Sequence, residues 1–392
     1  MLPKVSSGEA YRSCCFDELT LSFPCNLSYR NSQKTLNRIR WQDANNQTKH
    51  RTIANIIERE GSEIQQYIDS KTDIILEQSG VVITESGAIV PDEIKSLKRD
   101  IKYIDQQIVA KEIENYNVDK PRGLQIDISE IHESFECPDT SATNISIDDV
   151  QVKKQKETDR SPNARRKKHK EYAKNTVTHI QKGDNKYTLN GPNIPKTLKF
   201  LLGFMIYNNL LDQGALVFLA DGADDIKKGI QKFFGWIPYK VILDWVHLKK
   251  KCEQRLSQAI KGKDNRNMVL DELLSYLWVG KVDSAVNYLR QLDPNVVKNK
   301  ENIKLLIQYF DRNWSSIPCY ALRKALGLKV SSNAVEKSND LIVSDRQKHN
   351  GTSWSKDGSV SLATVTTLHL NKEQDTWIRN KYINFKLEQY AA

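Results

Sequence analysis

Sulfur is scarce in this chain, with three methionines and six cysteines among 392 residues. The cysteines, at positions 14, 15, 25, 137, 252 and 319, form no CxxC pair and are too scattered to staple a chain of this length. A disulfide framework is thereby excluded, a structural zinc site is not expected, and the thiols read as reduced. Long apolar runs are missing too: none approaches the roughly 20 residues that span a bilayer, and the N-terminal stretch lacks a charged-then-apolar leader. The expectation is a soluble, intracellular protein. Hydrophobic content of 39% is low but sufficient to fold, and the length exceeds a single compact core, so two or three domains are expected.

Positive charge is abundant. The chain carries 59 Lys and Arg against 49 Asp and Glu, a net charge of +10, and its pI is near 9.1. Such an excess favours a polyanionic partner, with nucleic acid the leading candidate.

The most informative stretch is Ala215-Leu-Val-Phe-Leu-Ala-Asp221-Gly222, an apolar run that ends on a carboxylate and a glycine. It reads as a central strand buried on both faces, and the acid at its C-terminal end stands where α/β sheets place chemistry. An Asp-Gly at a strand end also serves simply as a turn or a helix cap. An amphipathic helix from Asp225 to Phe234 and a second apolar run from Tyr239 to Leu248 complete a strand-helix-strand unit. Asp224 and Asp225 read as caps of that helix.

Taken in order, residues 1–31 show no sustained periodicity and read as an irregular lead-in. Residues 32–80 read as a helix-turn-helix DNA-binding region: two short helices about Gly61, with Ile53, Ile56 and Ile57 against the partner helix, Ser62 as a cap, and Gln65, Gln66 and Lys71 towards a groove. Within 81–120, Val81 to Val90 suggests a hairpin, and Pro91 opens a long helix to about Tyr116. Its seam of Ile94, Leu97, Ile101, Ile104 and Ile108 fits packing within the chain or against a second copy. Residues 121–143, rich in acids and turn formers, mark a boundary.

From about 140 to 249 the pattern is α/β. Asn144 to Lys153 is a strand with Asp148 and Asp149 in its middle, a costly placement unless the acids have partners or work. Lys153 to Lys174 is a basic arm containing Arg165, Arg166, Lys167 and Lys168, suited either to solvent or to a phosphate backbone. A second strand near Asn175 to Gln181, a turn at Gly183 and an apolar helix from Ile194 to Leu211 follow. Residues 250–326 are wholly helical. Trp278 and Trp314 within them suit helix packing, or stacking on an extruded base. In 327–392, Asn333 and Glu336 stand at N-cap and N3 of a further helix, a capping-box spacing, and Arg346, Trp354, Gly358 and two closing helices come after.

Three acids in these settings, Asp148 on a first strand, Asp221 at the end of a central strand and Glu336 after a helical insertion, carry a resemblance. With Ser146-Ile-Asp148-Asp-Val, Ala220-Asp221-Gly222, Leu243-Asp-Trp-Val-His247, Asn333-Ala-Val-Glu336 and Arg346 through Trp354 to Gly358, the chain from about Asn144 onward resembles the DDE transposases of the Mutator-like group of bacterial insertion sequences. The resemblance implies an α/β fold with an RNase H-like mixed sheet, interrupted by an all-helical insertion and preceded by the helix-turn-helix region. It implies metal-dependent hydrolysis and strand transfer at transposon ends, with Asp148, Asp221 and Glu336 as catalytic and metal-binding residues. Two Mg²⁺ ions about 4 Å apart, replaceable by Mn²⁺, would act at such a site. Three carboxylates gathered without metal repel one another, so strain or partial protonation is expected.

Double-stranded DNA and a second copy of the chain are the implied partners. Arg165, Arg166, Lys167, Lys168, Gln65, Gln66, Lys71 and Arg346 are the expected DNA contacts. Strand alternation lets only one of Asp148 and Asp149 face the site, and Asp244 competes with Asp221 for the second acid. His247 matches a histidine found after this strand in similar transposases, although a satisfied core histidine is the more common use of such a position. A silent, domesticated DNA-binding regulator and a structure-selective nuclease are the alternative functions.

Overall fold

The structure, a computed structural model, describes residues 13–41, 47–131, 133–138, 142–155, 171–332, 340–348 and 353–387. A hairpin of β1 (Val82–Thr84) and β2 (Gly87–Ile89) stands apart from a five-stranded mixed sheet. The sheet contains β3 (Ala142–Lys153), β4 (Tyr172–Lys182), β5 (Asn185–Gly191), β6 (Ala215–Ala220) and β7 (Lys240–Leu243), in the order β5-β4-β3-β6-β7. β3, β4 and β5 pair antiparallel, whereas β3 with β6 and β6 with β7 pair parallel.

β6 is the buried central strand that its sequence describes. Every residue in it is buried, with Leu216, Phe218 and Ala220 in one core and Ala215, Val217 and Leu219 in another. The first core is shared with α6 (Ile194–Tyr207) and α7 (Asp224–Phe234). The second is shared with α8 (Trp245–Ala259), α9 (Lys263–Trp278), α10 (Val282–Arg290) and α11 (Lys300–Asn313), and reaches Tyr320 of α12 (Tyr320–Ala325). Apolar side chains alternate across the strand, and each face finds its own helical layer. The all-helical stretch therefore forms where its periodicity placed it, packed on one face of the sheet. Trp278 packs against Trp245 and Tyr320, while Trp314 is exposed.

The N-terminal region departs from expectation. A helix, α1 (Cys14–Asn26), runs through the stretch read as irregular and buries Leu21 and Cys25 in the first core. After α2 (Tyr29–Ile39), α3 is one continuous 29-residue helix, His50–Gln78. Gly61 does not turn the chain: it lies inside α3, where an added Cβ would meet Ser361 Cα, Cβ and O at 2.5 Å. Ser361 belongs to α13 (Lys356–Leu370), which is followed by α14 (Gln374–Asn380). The glycine serves a close helix-to-helix approach, and the partner of Ile56, Ile57 and Ile64 is the common core rather than a second short helix.

The expected long helix after Pro91 is broken as well, into α4 (Asp92–Lys95) and α5 (Gln106–Asn117). Between them the Arg99 guanidinium donates to the carbonyls of Gly214, Leu211, Leu210 and Gln213, at 2.5, 2.6, 3.3 and 3.1 Å. These carbonyls belong to the connection from α6 to β6, so the stretch between α4 and α5 holds that connection through Arg99. Asp105 then caps α5 by accepting from Gln107 N at 2.7 Å.

Candidate active site

Register fixes the geometry. Ile147 of β3 pairs with Ala220 of β6, and Ala220 pairs with Leu243 of β7. The residues that follow these pairs are Asp148 on β3, Asp221 just beyond β6 and Asp244 just beyond β7, so three aspartates come after one register level of the sheet. Paired positions on neighbouring strands share a face, with strands about 4.8 Å apart. The three aspartates nonetheless have different environments.

Asp244 is spent on structure. It is fully buried and is the N-cap of α8, its Oδ1 accepting from His247 N at 2.9 Å and its Oδ2 accepting from Ser332 N. With both oxygens engaged by backbone N–H groups, it holds the first turn of α8 against the chain at Ser332. Trp245 N donating to Val330 O at 3.1 Å strengthens the same strap. Both Asp244 oxygens are therefore engaged within the fold.

Asp148 and Asp221 are the pair that interact electrostatically. The Asp148 carboxyl lies above its ordinary range, chiefly because burial disfavours its charge, with the negative charge of Asp221 adding; His247 and Lys348 act in the opposite direction. Asp221 sits beyond β6, where its Oδ1 accepts from Ala223 N at 2.8 Å, and Gly222 takes φ +81°, a left-handed conformation that suits glycine. An added Cβ at Gly222 would meet Leu243 Cδ1 at 2.7 Å and Asn313 Oδ1 at 2.8 Å, so the turn presenting Asp221 is packed closely. Tyr309 of α11 donates to Asp221 O at 3.2 Å; burial, with the nearby charge of Asp221, pushes its phenol up.

Asp149 points the other way. Thr176 Oγ1 donates to its Oδ1 at 2.9 Å and Lys174 Nζ lies 3.4 Å from its Oδ2, so it belongs to the opposite face of β3 and to β4. Asp148 and Asp149 thus lie on opposite faces of β3, and Asp148 is the one close enough to sense the charge of Asp221. His247 reaches the site from the first turn of α8, near enough to favour the charged form of Asp148. Lys348, which no sequence pattern singled out, arrives at the end of a π-helical segment, Asp340–Lys348, packed over β3.

Several expected DNA contacts are used inside the fold. Gln65 Nε2 donates to Asn190 O at 3.0 Å and Thr364 Oγ1 at 2.7 Å. Lys71 Nζ donates to Ile383 O at 2.8 Å and Asn384 O at 3.1 Å, over the rings of Tyr382 and Tyr207. Arg346 is buried, donates from Nε to Pro24 O at 3.0 Å and stacks over Tyr29 and Trp354. In each case the long polar side chain fixes helix packing, which patterning along the chain does not reveal. Gln66 is exposed. Glu336 and the arm residues Arg165, Arg166, Lys167 and Lys168 lie outside the described residues.

Among the described residues, no three His, Cys, Asp or Glu side chains gather into a metal-ligand set. The Asp148 and Asp221 pair still suits a hard divalent cation: both donors are carboxylate oxygens, and the burial and repulsion that raise Asp148 are what a cation would relieve. Among the described residues no helix is long and apolar enough to cross a membrane. Set against known proteins, the chain matches no family model, no curated protein and no solved structure.

Proposed function

We propose that the chain is a metal-dependent enzyme of the RNase H-like class that cuts DNA at the ends of a mobile element and joins the freed 3′-OH to a target. The observation that carries this reading is the electrostatic pairing of Asp148 with Asp221 across adjacent parallel strands, with Asp149 and Asp244 committed elsewhere. Asp148 and Asp221 would hold Mg²⁺, with Glu336 supplying a third carboxylate after the Ser332 strap. When bound, such ions activate the attacking oxygen and stabilise the leaving oxygen of a phosphodiester.

The remaining work falls to the chain. The Asp244 cap orients α8 and so carries His247 towards Asp148, while Lys348 adds positive charge where a scissile phosphate would lie. A net charge of +10 draws the polyanion in, and Gln66 and the four basic residues of the arm remain candidate partners of the DNA backbone. Because two ends must be handled together, the acting form is an oligomer.

The test is cleavage and joining of end-labelled DNA in Mg²⁺ by the intact protein and by Asp148→Asn, Asp221→Asn and Asp149→Asn, with DNA binding measured alongside. Loss of both activities in the first two variants, at least about 10³-fold if a charge-stabilising ligand is removed, with binding and Asp149→Asn activity retained, supports the reading. An intact protein that binds DNA and neither cuts nor joins in Mg²⁺ or Mn²⁺ is a regulator instead. One that cuts but never joins is a nuclease.

A further inference from the structure

Two and four residues before Asp148, and on the same face of β3, Ser146 and Asn144 floor a cavity of about 300 Å³. Register pairs Ser146 with His179 and Asn144 with Gln181, so four polar side chains rise from adjacent positions of β3 and β4 into one lining. Lys324 and Lys329, both exposed, line the same cavity from α12 and the strand-like chain that follows it. The volume is at the lower end of small-ligand sites.

His179 is the unusual member. It is 8% exposed; its Nδ1 lies 3.1 Å from Thr188 Oγ1, and its Nε2 has no hydrogen-bond partner among the described residues. Buried polar atoms are almost always paired, so this nitrogen, enclosed with almost no accessible surface, is an unmet hydrogen-bonding group beside the lining. Burial, with the cations of Lys186 and Lys329 adding, holds the imidazole down at about 4, so it is neutral at pH 7 and hydrogen-bonds without carrying charge. Neutral hydrogen-bonding groups on a floor and two cations on its wall suit a ligand with a polar body and an anionic end.

We propose that this cavity binds a phosphate-bearing nucleotide, with Lys324 and Lys329 taking the phosphate and Ser146, Asn144 and Gln181, backed by the neutral ring of His179, taking the polar edge of the base or sugar. The affinity for a nucleotide is independent of the reaction proposed above. If the nucleotide belongs to a DNA strand, a placement that does rest on that reading, it adjoins the phosphate at Asp148, since Ser146 and Asp148 are about 6.6 Å apart along the strand.

Calorimetric titration of the full chain with inorganic phosphate, deoxyadenosine monophosphate, adenosine and a short single-stranded oligonucleotide tests this. The expected result is binding of the monophosphate but not of adenosine, weakened about tenfold or more by Lys324→Gln, Lys329→Gln and His179→Asn, and unchanged by Asp148→Asn. An oligonucleotide that binds more tightly than the monophosphate, and is weakened by the same factor, places the site on a DNA strand; equal affinities place a free nucleotide there. The two lysines are exposed, so unchanged melting temperatures of their variants separate impaired binding from impaired folding. Absence of monophosphate binding at millimolar concentration, or affinities untouched by both lysine variants, overturns the proposal whatever the cleavage assay gives. Loss of cutting in Asp148→Asn beside unaltered pocket variants removes the pocket and leaves the reaction standing.

Discussion

Asp148 and Asp244 occupy equivalent positions on strands of one sheet, yet substitution should move stability in opposite directions. The folded state raises the Asp148 pKa above its unfolded value, so its ionisation opposes folding. Below the ordinary value of 3.8 the cost is absent, and it sets in as pH rises through that value towards the raised one. Asp148→Asn should therefore melt higher than the parent at neutral pH, with the gain vanishing below the ordinary carboxylate value of 3.8. Asp244→Asn keeps an acceptor for His247 N but turns an amide donor towards Ser332 N. It should cost about 1–3 kcal/mol, read from the same melts. Equal signs for the two variants would contradict the division of labour between them. That division was not legible in the sequence. The acids and their strands could be read locally, but which carboxylate caps and which faces its neighbour depends on β3, β6 and β7 lying side by side and on Ser332 arriving 88 residues after Asp244.

At the scale of elements, α3 is tied to the C-terminal helices through Glu60. This buried carboxylate accepts from Lys381 Nζ at 2.5 Å, Arg59 Nη2 at 2.9 Å and Trp377 Nε1 at 3.2 Å. Burial pushes its carboxyl up, but Lys381, Arg59 and Trp377 outweigh burial and hold it at about 2. Its contribution to stability is thus full above the ordinary 4.5 and is lost as pH falls from there towards 2. Glu60→Gln should cost about 1–3 kcal/mol at pH 7, with the difference from the parent shrinking between pH 4.5 and 2 in chemical denaturation. A constant difference across that range would show that the ion pairs contribute nothing. Continuous helix and helical hairpin share the same apolar spacing around Gly61, and only the approach of Ser361 decides between them. The seam after Pro91 misled for a related reason: Ile94 to Ile108 has helical spacing, but Arg99 is worth more to the fold as a donor to carbonyls 111 to 115 residues away.

For the whole molecule, strands and helices dense in apolar residues were readable where period and burial agree along the chain: β6, α7 and the helices from α9 to α12 lie where their patterns put them, whereas the apolar run from Tyr239 to Leu248 is a strand only to Leu243 and turns helical at Trp245, where Asp244 caps α8. β5 was missed because its polar sequence, Asn185-Lys-Tyr-Thr-Leu-Asn-Gly191, inserts only Tyr187 and Leu189 into the apolar core. Charge acts at this scale too. If the arm meets phosphates, neutralising Arg165, Arg166, Lys167 and Lys168 together should flatten the slope of log affinity against log salt by up to about 0.9 for each phosphate that the arm no longer pairs. An unchanged slope would remove the arm from the DNA path. The decisive measurement is Mn²⁺ binding, followed by the spin-resonance signal of the free ion, for the intact chain and for Asp148→Asn, Asp221→Asn and Asp149→Asn. Shared coordination by Asp148 and Asp221 predicts that either of the first two substitutions weakens binding at least about tenfold, while Asp149→Asn leaves it intact. Binding that is equal in all four proteins would contradict a cation site at this pair.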